Sequence, residues 1–236
     1  MDIEPVRLPP PAPPQKPKPS FQALHRGTEH DFRQLADLRG IQYAAHAWAD
    51  ERGLLRFATL KDHLAWIVTD SARLNAQARR MDGQLWDHLE AKPKAWTLPG
   101  SRASWPIGIE ESEPFETIAL CEGGPDFLAA HALCLQEYNS HCAPVGMLGA
   151  SMRIHADALP LFFGKIVRIF VHNDDAGRKA AENWTDQLEA AGAIVDAFPF
   201  AGLRKTDGAL IKDLNDFLDI DPNELNPDPA HNDILP

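Results

Sequence analysis

Four short clusters carry the residue types of metal-assisted phosphate chemistry: Glu122-Gly123-Gly124-Pro125-Asp126, Gly149-Ala150-Ser151, His172-Asn173-Asp174-Asp175-Ala176-Gly177 and Lys212-Asp213-Leu214-Asn215-Asp216. Carboxylates brought together without matching cations repel one another. A rim of them is tolerable mainly when a hard divalent cation neutralises it through oxygen coordination, and Mg²⁺ is the natural occupant. Each acid also has a plainer reading, Asp174 or Asp175 as the cap of a following helix and Glu122 as a solvated turn residue.

For these clusters to meet, a frame must place them on one edge. Beyond Pro114 the apolar pattern alternates between strand and helix: Thr117 to Cys121 as a strand, Asp126 to Tyr138 as a helix, Pro144 to Leu148 and Val167 to Val171 as strands. Ala176 to Ala191 follows as a helix closed by Gly192, and Ile194 to Phe198 as a fourth strand. Such alternation predicts an α/β fold with a mostly parallel sheet flanked by helices. Ligands of these sheets lie outside the carboxyl ends of the strands, where the first three clusters fall; the fourth follows the last strand and a loop.

Upstream, Phe32, Leu35, Leu38, Ile41, Ala45 and Trp48 recur at helical steps interrupted near Gly40, which predicts two short helices. After Gly53, Leu54 to Leu60, Leu64 to Thr69, Gln77 to Met81 and Lys94 to Leu98 are apolar segments divided by turn residues. They predict a small, mostly antiparallel β region, making the N-terminal subdomain mixed α+β. The expected divisions are a disordered Pro-rich tail over 1–20, this subdomain over 21–113, the parallel domain over 114–220 and a flexible acidic tail over 221–236.

The 236 residues carry a net charge of -11 and are 44% apolar, enough for real cores. The charge is uneven: residues 71–108 hold six basic residues against three acids, whereas 116–220 hold eight against fifteen. A locally basic stretch beside an acidic half suits a metal site next to a polyanion track. Three cysteines without a CxxC argue for free thiols. No apolar run reaches the roughly 18 residues of a membrane span, and no signal-peptide pattern opens the chain, so a cytoplasmic protein without membrane contact is expected. His131, Cys134, His141 and Cys142 could be grouped as a metal cluster, but the first two sit on a helix whose apolar face needs filling, and core roles are expected.

In order, Glu-Gly-x-x-Asp-x-Leu at 122–128, Gly-Ala-Ser at 149–151, Asn-Asp-x-Ala-Gly-Arg at 173–178 and Lys-Asp-x-Asn-Asp at 212–216 resemble the topoisomerase–primase (Toprim) domain. Upstream, Gln77-Ala78-Arg79-Arg80-Met81-Asp82-Gly83 and Lys94-Ala95-Trp96-Thr97-Leu98-Pro99-Gly100-Ser101 look like the β subdomain that precedes Toprim in bacterial and phage primases. The resemblance spans roughly Leu54 to Asp219 and includes no zinc ribbon. It implies metal ligation or acid/base work for Glu122, with Asp174 as the second acid of an Asp-x-Asp motif and Asp213 as the distal acid. Asp175 and Asp216 would be outer or substitute ligands. His172 fills the place of the motif's first acid, and its nitrogen suits Mn²⁺ better than Mg²⁺. Arg79 or Arg80, with Lys94, would hold template phosphates or a triphosphate, and Ser151 and Lys212 would be further nucleic-acid or nucleotide-binding residues.

The implied activity is primase-type nucleotidyl transfer in DNA replication, on single-stranded DNA with nucleoside triphosphates, Mg²⁺ or Mn²⁺ and a replicative helicase as partner, in a bacterial, plasmid or phage setting. Two other readings stand: a weakened Toprim module that binds single-stranded DNA or nucleotides as a helicase-associated platform, and a Toprim nuclease. Trp66, Trp86, Trp96 and Trp105 could stack on bases or fill the β-region core.

Overall fold

The computed structural model describes residues 23–136, 141–224 and 234; the expected tail over 1–20 and most of that over 221–236 lie outside them. Helix α1 (Glu29–Arg39) opens on a capping box between Thr28 and Asp31 and closes on Gly40 at φ 68°, a left-handed position that glycine adopts without strain. Helix α2 (Tyr43–Glu51) leads into four antiparallel strands: β1 (Leu55–Leu60), β2 (His63–Thr69), β3 (Ala76–Arg80) and β4 (Ala95–Thr97), paired in chain order.

The second half is β5 (Thr117–Glu122), α3 (Gly123–Gln136), β6 (Cys142–Met147), β7 (Ile166–Val171), α4 (Asp175–Ala190), β8 (Ile194–Pro199) and the short α5 (Leu214–Phe217). Its strands are all parallel, in spatial order β6-β5-β7-β8. The mixed α/β architecture is the one the apolar pattern predicts.

One apolar cluster joins the halves, with Phe57, Trp66 and Val68 from the antiparallel sheet meeting Ala119, Phe127 and Leu128. The contact is close, because a Cβ on Gly124 would lie 3.1 Å from the Trp66 ring and 3.3 Å from Val68. Gln77 adds a hydrogen bond from Nε2 to the Leu148 carbonyl at 3.1 Å, and Ile107 pairs with Gly146 through two 2.9 Å backbone bonds. The acidic edge of one sheet therefore stays beside the basic strand of the other.

Trp66, Trp86 and Trp105 are buried core residues and Trp96 is half-buried. His131 sits in the core with Nδ1 2.7 Å from the Phe127 carbonyl and Nε2 3.1 Å from Arg52, as its place on the apolar face of α3 implies. The three cysteines are buried and free.

Candidate functional site

Parallel strands leave their carboxyl ends on one edge, and the loops after β5 and β7 put their acids there. Gly123, at φ 80°, makes the turn from β5 into α3 and sets Glu122 and Asp126 on one side of it. Asp126 falls in the first turn of α3, where a carboxylate complements the helix dipole. It is 2% exposed and accepts from the Asn215 amide at 3.2 Å.

His172, just past β7, bridges two of these acids, with Nε2 2.6 Å from Asp126 Oδ2 and Nδ1 3.7 Å from Glu122 Oε2. Glu122 Oε1 accepts from the Ala150 amide at 3.0 Å. Asp213 accepts from the Asp216 amide as the cap of α5, and Asp174 accepts from Gly177 as the cap of α4. Asp175 is exposed and paired with Arg178 at 2.5 Å. Ser151 is exposed and lines a surface cavity with Arg153, Lys179 and Asn183, and the carbonyl of exposed Lys212 accepts from the Asn173 amide.

The electrostatics follow from burial and proximity. Burial, reinforced by Asp213 and only partly offset by His172, raises the Asp126 carboxyl to about 6. Burial likewise raises Glu122, with His172 working against it. For His172, burial opposes the charged form, but the hydrogen bond to Asp126 and the charges of Asp126, Glu122 and Asp213 outweigh it and raise the imidazole to about 9. At neutral pH a cation therefore sits among the carboxylates.

Among the described residues, Asp126, His172 and Asp213 form a group whose donor atoms lie within 4.8 Å of one another, close enough for one metal ion. The two carboxylates fit a hard divalent cation. His172 could join only by losing its proton and giving up Asp126, because an imidazolium has no lone pair to donate.

Facing this edge is β3. Arg79 holds its guanidinium 6.0 Å from the centre of the Trp66 ring and lines a cavity with Arg39, Trp66, Gly83, Gln84 and Lys94. Burial lowers its pKa to about 10, with Arg39 adding to the fall and Asp126 opposing it. Arg80 also borders the cavity, but its guanidinium is bound to the Asp82 carboxylate and to the Leu85 carbonyl. The geometry thus leaves Arg79 and Lys94 without ion-pair partners among the described residues, whereas Arg80 is neutralised locally.

Two residues of this edge were not singled out by sequence reasoning, Asp126 as a site acid and Arg39 as a site cation. Asp126 stands inside the Glu-Gly-x-x-Asp-x-Leu motif, so a signal was present. Arg39 had none beyond its place before Gly40.

No protein-family profile matches the chain, and no curated protein sequence matches it. Among solved structures, it is similar to the primase fragment of the bacteriophage T7 primase-helicase protein, with a TM-score of 0.50 and 17% identity over 76% of this chain. The chain spans 66% of that fragment's length. A second similar structure is the T7 lagging-strand DNA polymerase interacting with primase domains of two gp4 subunits bound to an RNA/DNA hybrid and dTTP. There the TM-score is 0.47 and identity 18%, over 68% of this chain and 76% of that one. The likeness to the fragment shows a primase-like fold. No helix among the described residues is long and apolar enough to cross a membrane.

Proposed function

We propose that this chain is a Toprim protein of primase type, catalysing metal-dependent nucleotidyl transfer on a single-stranded DNA template. The observation that carries the reading is the placing of buried Asp126 and half-buried Asp213 and Glu122 beside Arg79, which has no ion-pair partner among the described residues, within a fold shared with a phage primase fragment. A divalent cation such as Mg²⁺ or Mn²⁺, held by Asp126 and Asp213 with Glu122 beside them, would supply charge stabilisation at the reacting phosphate.

The protein's own groups have separate tasks. Arg79 and Lys94 hold phosphate oxygens and orient the α-phosphate for in-line attack. A 3′-hydroxyl oxygen bonds to that phosphorus as the bond to the β-phosphate oxygen breaks, and pyrophosphate departs. Glu122, whose pKa burial raises, is positioned to take the hydroxyl proton. Ser151 and Lys212 flank the edge as further polar contacts. A replicative helicase is the proposed partner and the cytoplasm the proposed compartment, where buried free thiols stay reduced.

One observation favours a second reading, a binding platform with little catalysis: the His172 ring already bridges Asp126 and Glu122. Purified chain with single-stranded DNA, labelled nucleotides and Mg²⁺ or Mn²⁺ in parallel separates these. Labelled oligomers support the primase, binding without product the platform, and a shortened template a nuclease; the last two overturn the primase reading.

A further inference from the structure

We propose that the cavity between α1 and β3 is a phosphate-binding site in which Arg39 is a direct ligand beside Arg79 and Lys94, and Asn215 is its positioning residue. The inference deepens the proposed function, since a nucleoside triphosphate and a template backbone both present this chemistry.

Arg39 ends α1 and is held by a reciprocal clamp. Its Nη2 donates to Asn215 Oδ1 at 2.6 Å, and Asn215 Nδ2 donates back to the Arg39 carbonyl at 3.1 Å. The Asn215 amide donates in turn to Asp126 at 3.2 Å, so one residue fixes both the arginine and the buried acid. The clamp uses one edge of the guanidinium. Arg39 Nε is buried with no partner among the described residues, and so is Arg79 Nε in the same cavity.

Buried donors on a permanently charged group are costly when unpaired, and arginine does not escape the cost by losing its proton. Arg56, Arg80 and Arg168 of this chain each sit against an aspartate, at Asp50, Asp82 and Asp196. Arg39 and Arg79 have no such partner among the described residues. Asp126, Asp213 and Asp216 attract Arg39 without reaching it. Two half-buried cations lining one cavity repel each other, and an anion between them removes that repulsion.

The donor set selects the anion. Two planar guanidinium groups and one ammonium offer more directed hydrogens than a carboxylate's two oxygens accommodate, whereas a phosphate presents three or more oxygens in tetrahedral array. Leu38 and Trp66 give the cavity an apolar wall on one side, where the attraction is less screened than in open water. Arg39 is held in place by Asn215 before the ligand arrives, so its ordering adds little cost on binding.

The test uses the full chain without metal, titrated separately by calorimetry with inorganic tripolyphosphate and with a short oligo-dT strand at several salt concentrations. Arg39→Gln should weaken one or both probes by about tenfold or more, as expected for loss of a charged hydrogen bond. Arg39→Lys should recover part of that, and Asn215→Ala should weaken binding while keeping the charge. Loss confined to tripolyphosphate identifies a triphosphate site. Loss confined to oligo-dT, with the salt slope reduced by about one, identifies a backbone site. A folded Arg39→Gln chain with unchanged affinity for both overturns the inference. If that variant does not fold, the side-chain Nε–H resonance of Arg39 in the unsubstituted chain decides, and no shift on saturation with either probe overturns it. Neither readout depends on synthesis: absent oligomer products with Arg39-dependent phosphate binding would refute the primase reading alone.

Discussion

His172 Nε2 lies 2.6 Å from the Asp126 carboxylate, and the same ring turns its other nitrogen to Glu122 at 3.7 Å. A side chain expected from sequence to ligate metal is engaged in holding two acids together. Replacing it by His172→Asp removes that cation and adds a third carboxylate beside Asp126. Without metal the variant should melt lower, because like charges converge in a partly buried site; with Mg²⁺ it should recover, and its Mg²⁺ affinity should rise. Calorimetric titration and melting with and without Mg²⁺ check both. Unchanged Mg²⁺ affinity would place position 172 outside the metal's reach.

The same pair gives stability a direction with pH. The folded pKa of about 9 for His172 lies above the ordinary value of about 6.5. Its contribution is therefore complete below about pH 6.5 and is lost as pH rises through about 9. Allowing for the 22% exposure of the side chain, the loss should be about 1–2 kcal/mol. Urea denaturation between pH 6.5 and 9.5 measures it, and in His172→Gln this component should be absent.

Most of the frame was legible because its signals are local. An apolar strand of six residues or an amphipathic helix writes its period into neighbouring residues, so the predicted segments between 117 and 199 match β5 to β8, α3 and α4 closely. The site was legible only in part. An acid in the first turn of a helix and an arginine in the last turn are what the helix dipole alone asks for, and Asp126 and Arg39 stand in those places. What brings them to the candidate site is distant in sequence: Gly124 packs on Trp66 at the start of α3, and Asn215, 176 positions after Arg39, clamps it. The difference between Arg79 and Arg80 is likewise not written in their neighbours' types, since it lies in Asp82 pairing with Arg80.

Gly177 determines whether His172 can keep its place. A Cβ there would lie 2.5 Å from His172 Cβ and 2.7 Å from its carbonyl oxygen, and backbone atoms cannot swing aside as a side-chain end can. Gly177→Ala should cost about 2–3 kcal/mol, the range of overpacking in a tight contact. It should also pull the imidazole from Asp126, so that its titration by NMR falls from about 9 toward 6.5. An unmoved titration would show that the loop relaxes around the added methyl.

His46 is fully buried, with neither ring nitrogen bonded to a described residue. Burial, aided by the nearby Arg39 charge, lowers its pKa to about 4. The folded state thus holds the neutral ring. Its contribution is present above about pH 6.5 and is lost as pH falls toward 4, by about 2–3 kcal/mol. His46→Leu should be neutral or stabilising at pH 7, since it removes unpaired polar atoms, and should flatten the acid side of the stability profile. An unchanged acid slope would assign that lability to other groups.

The net charge of -11 sets the hardest constraint on nucleic-acid binding, because the field of the whole chain repels a polyanion and only local cations can overcome it. Arg79 and Lys94 border the cavity beside the acidic edge without ion-pair partners among the described residues, so a phosphate would find them free. Arg80, one residue from Arg79, is held by Asp82 and the Leu85 carbonyl, and that pairing would have to break before it met a phosphate. Neighbouring arginines on one strand should therefore behave differently. Arg79→Ala and Lys94→Ala should each weaken binding of single-stranded DNA and reduce the slope of log affinity against log salt by about one. Arg80→Ala should leave that slope unchanged and lower the melting temperature instead, because it strips Asp82 and the Leu85 carbonyl of their partner. Fluorescence anisotropy with a labelled strand at four salt concentrations, paired with thermal melting, reads both quantities on the same samples. If Arg80→Ala flattened the slope and Arg79→Ala did not, the nucleic-acid track would run along the Asp82 loop, and the cavity beside Asp126 would have no part in holding the strand.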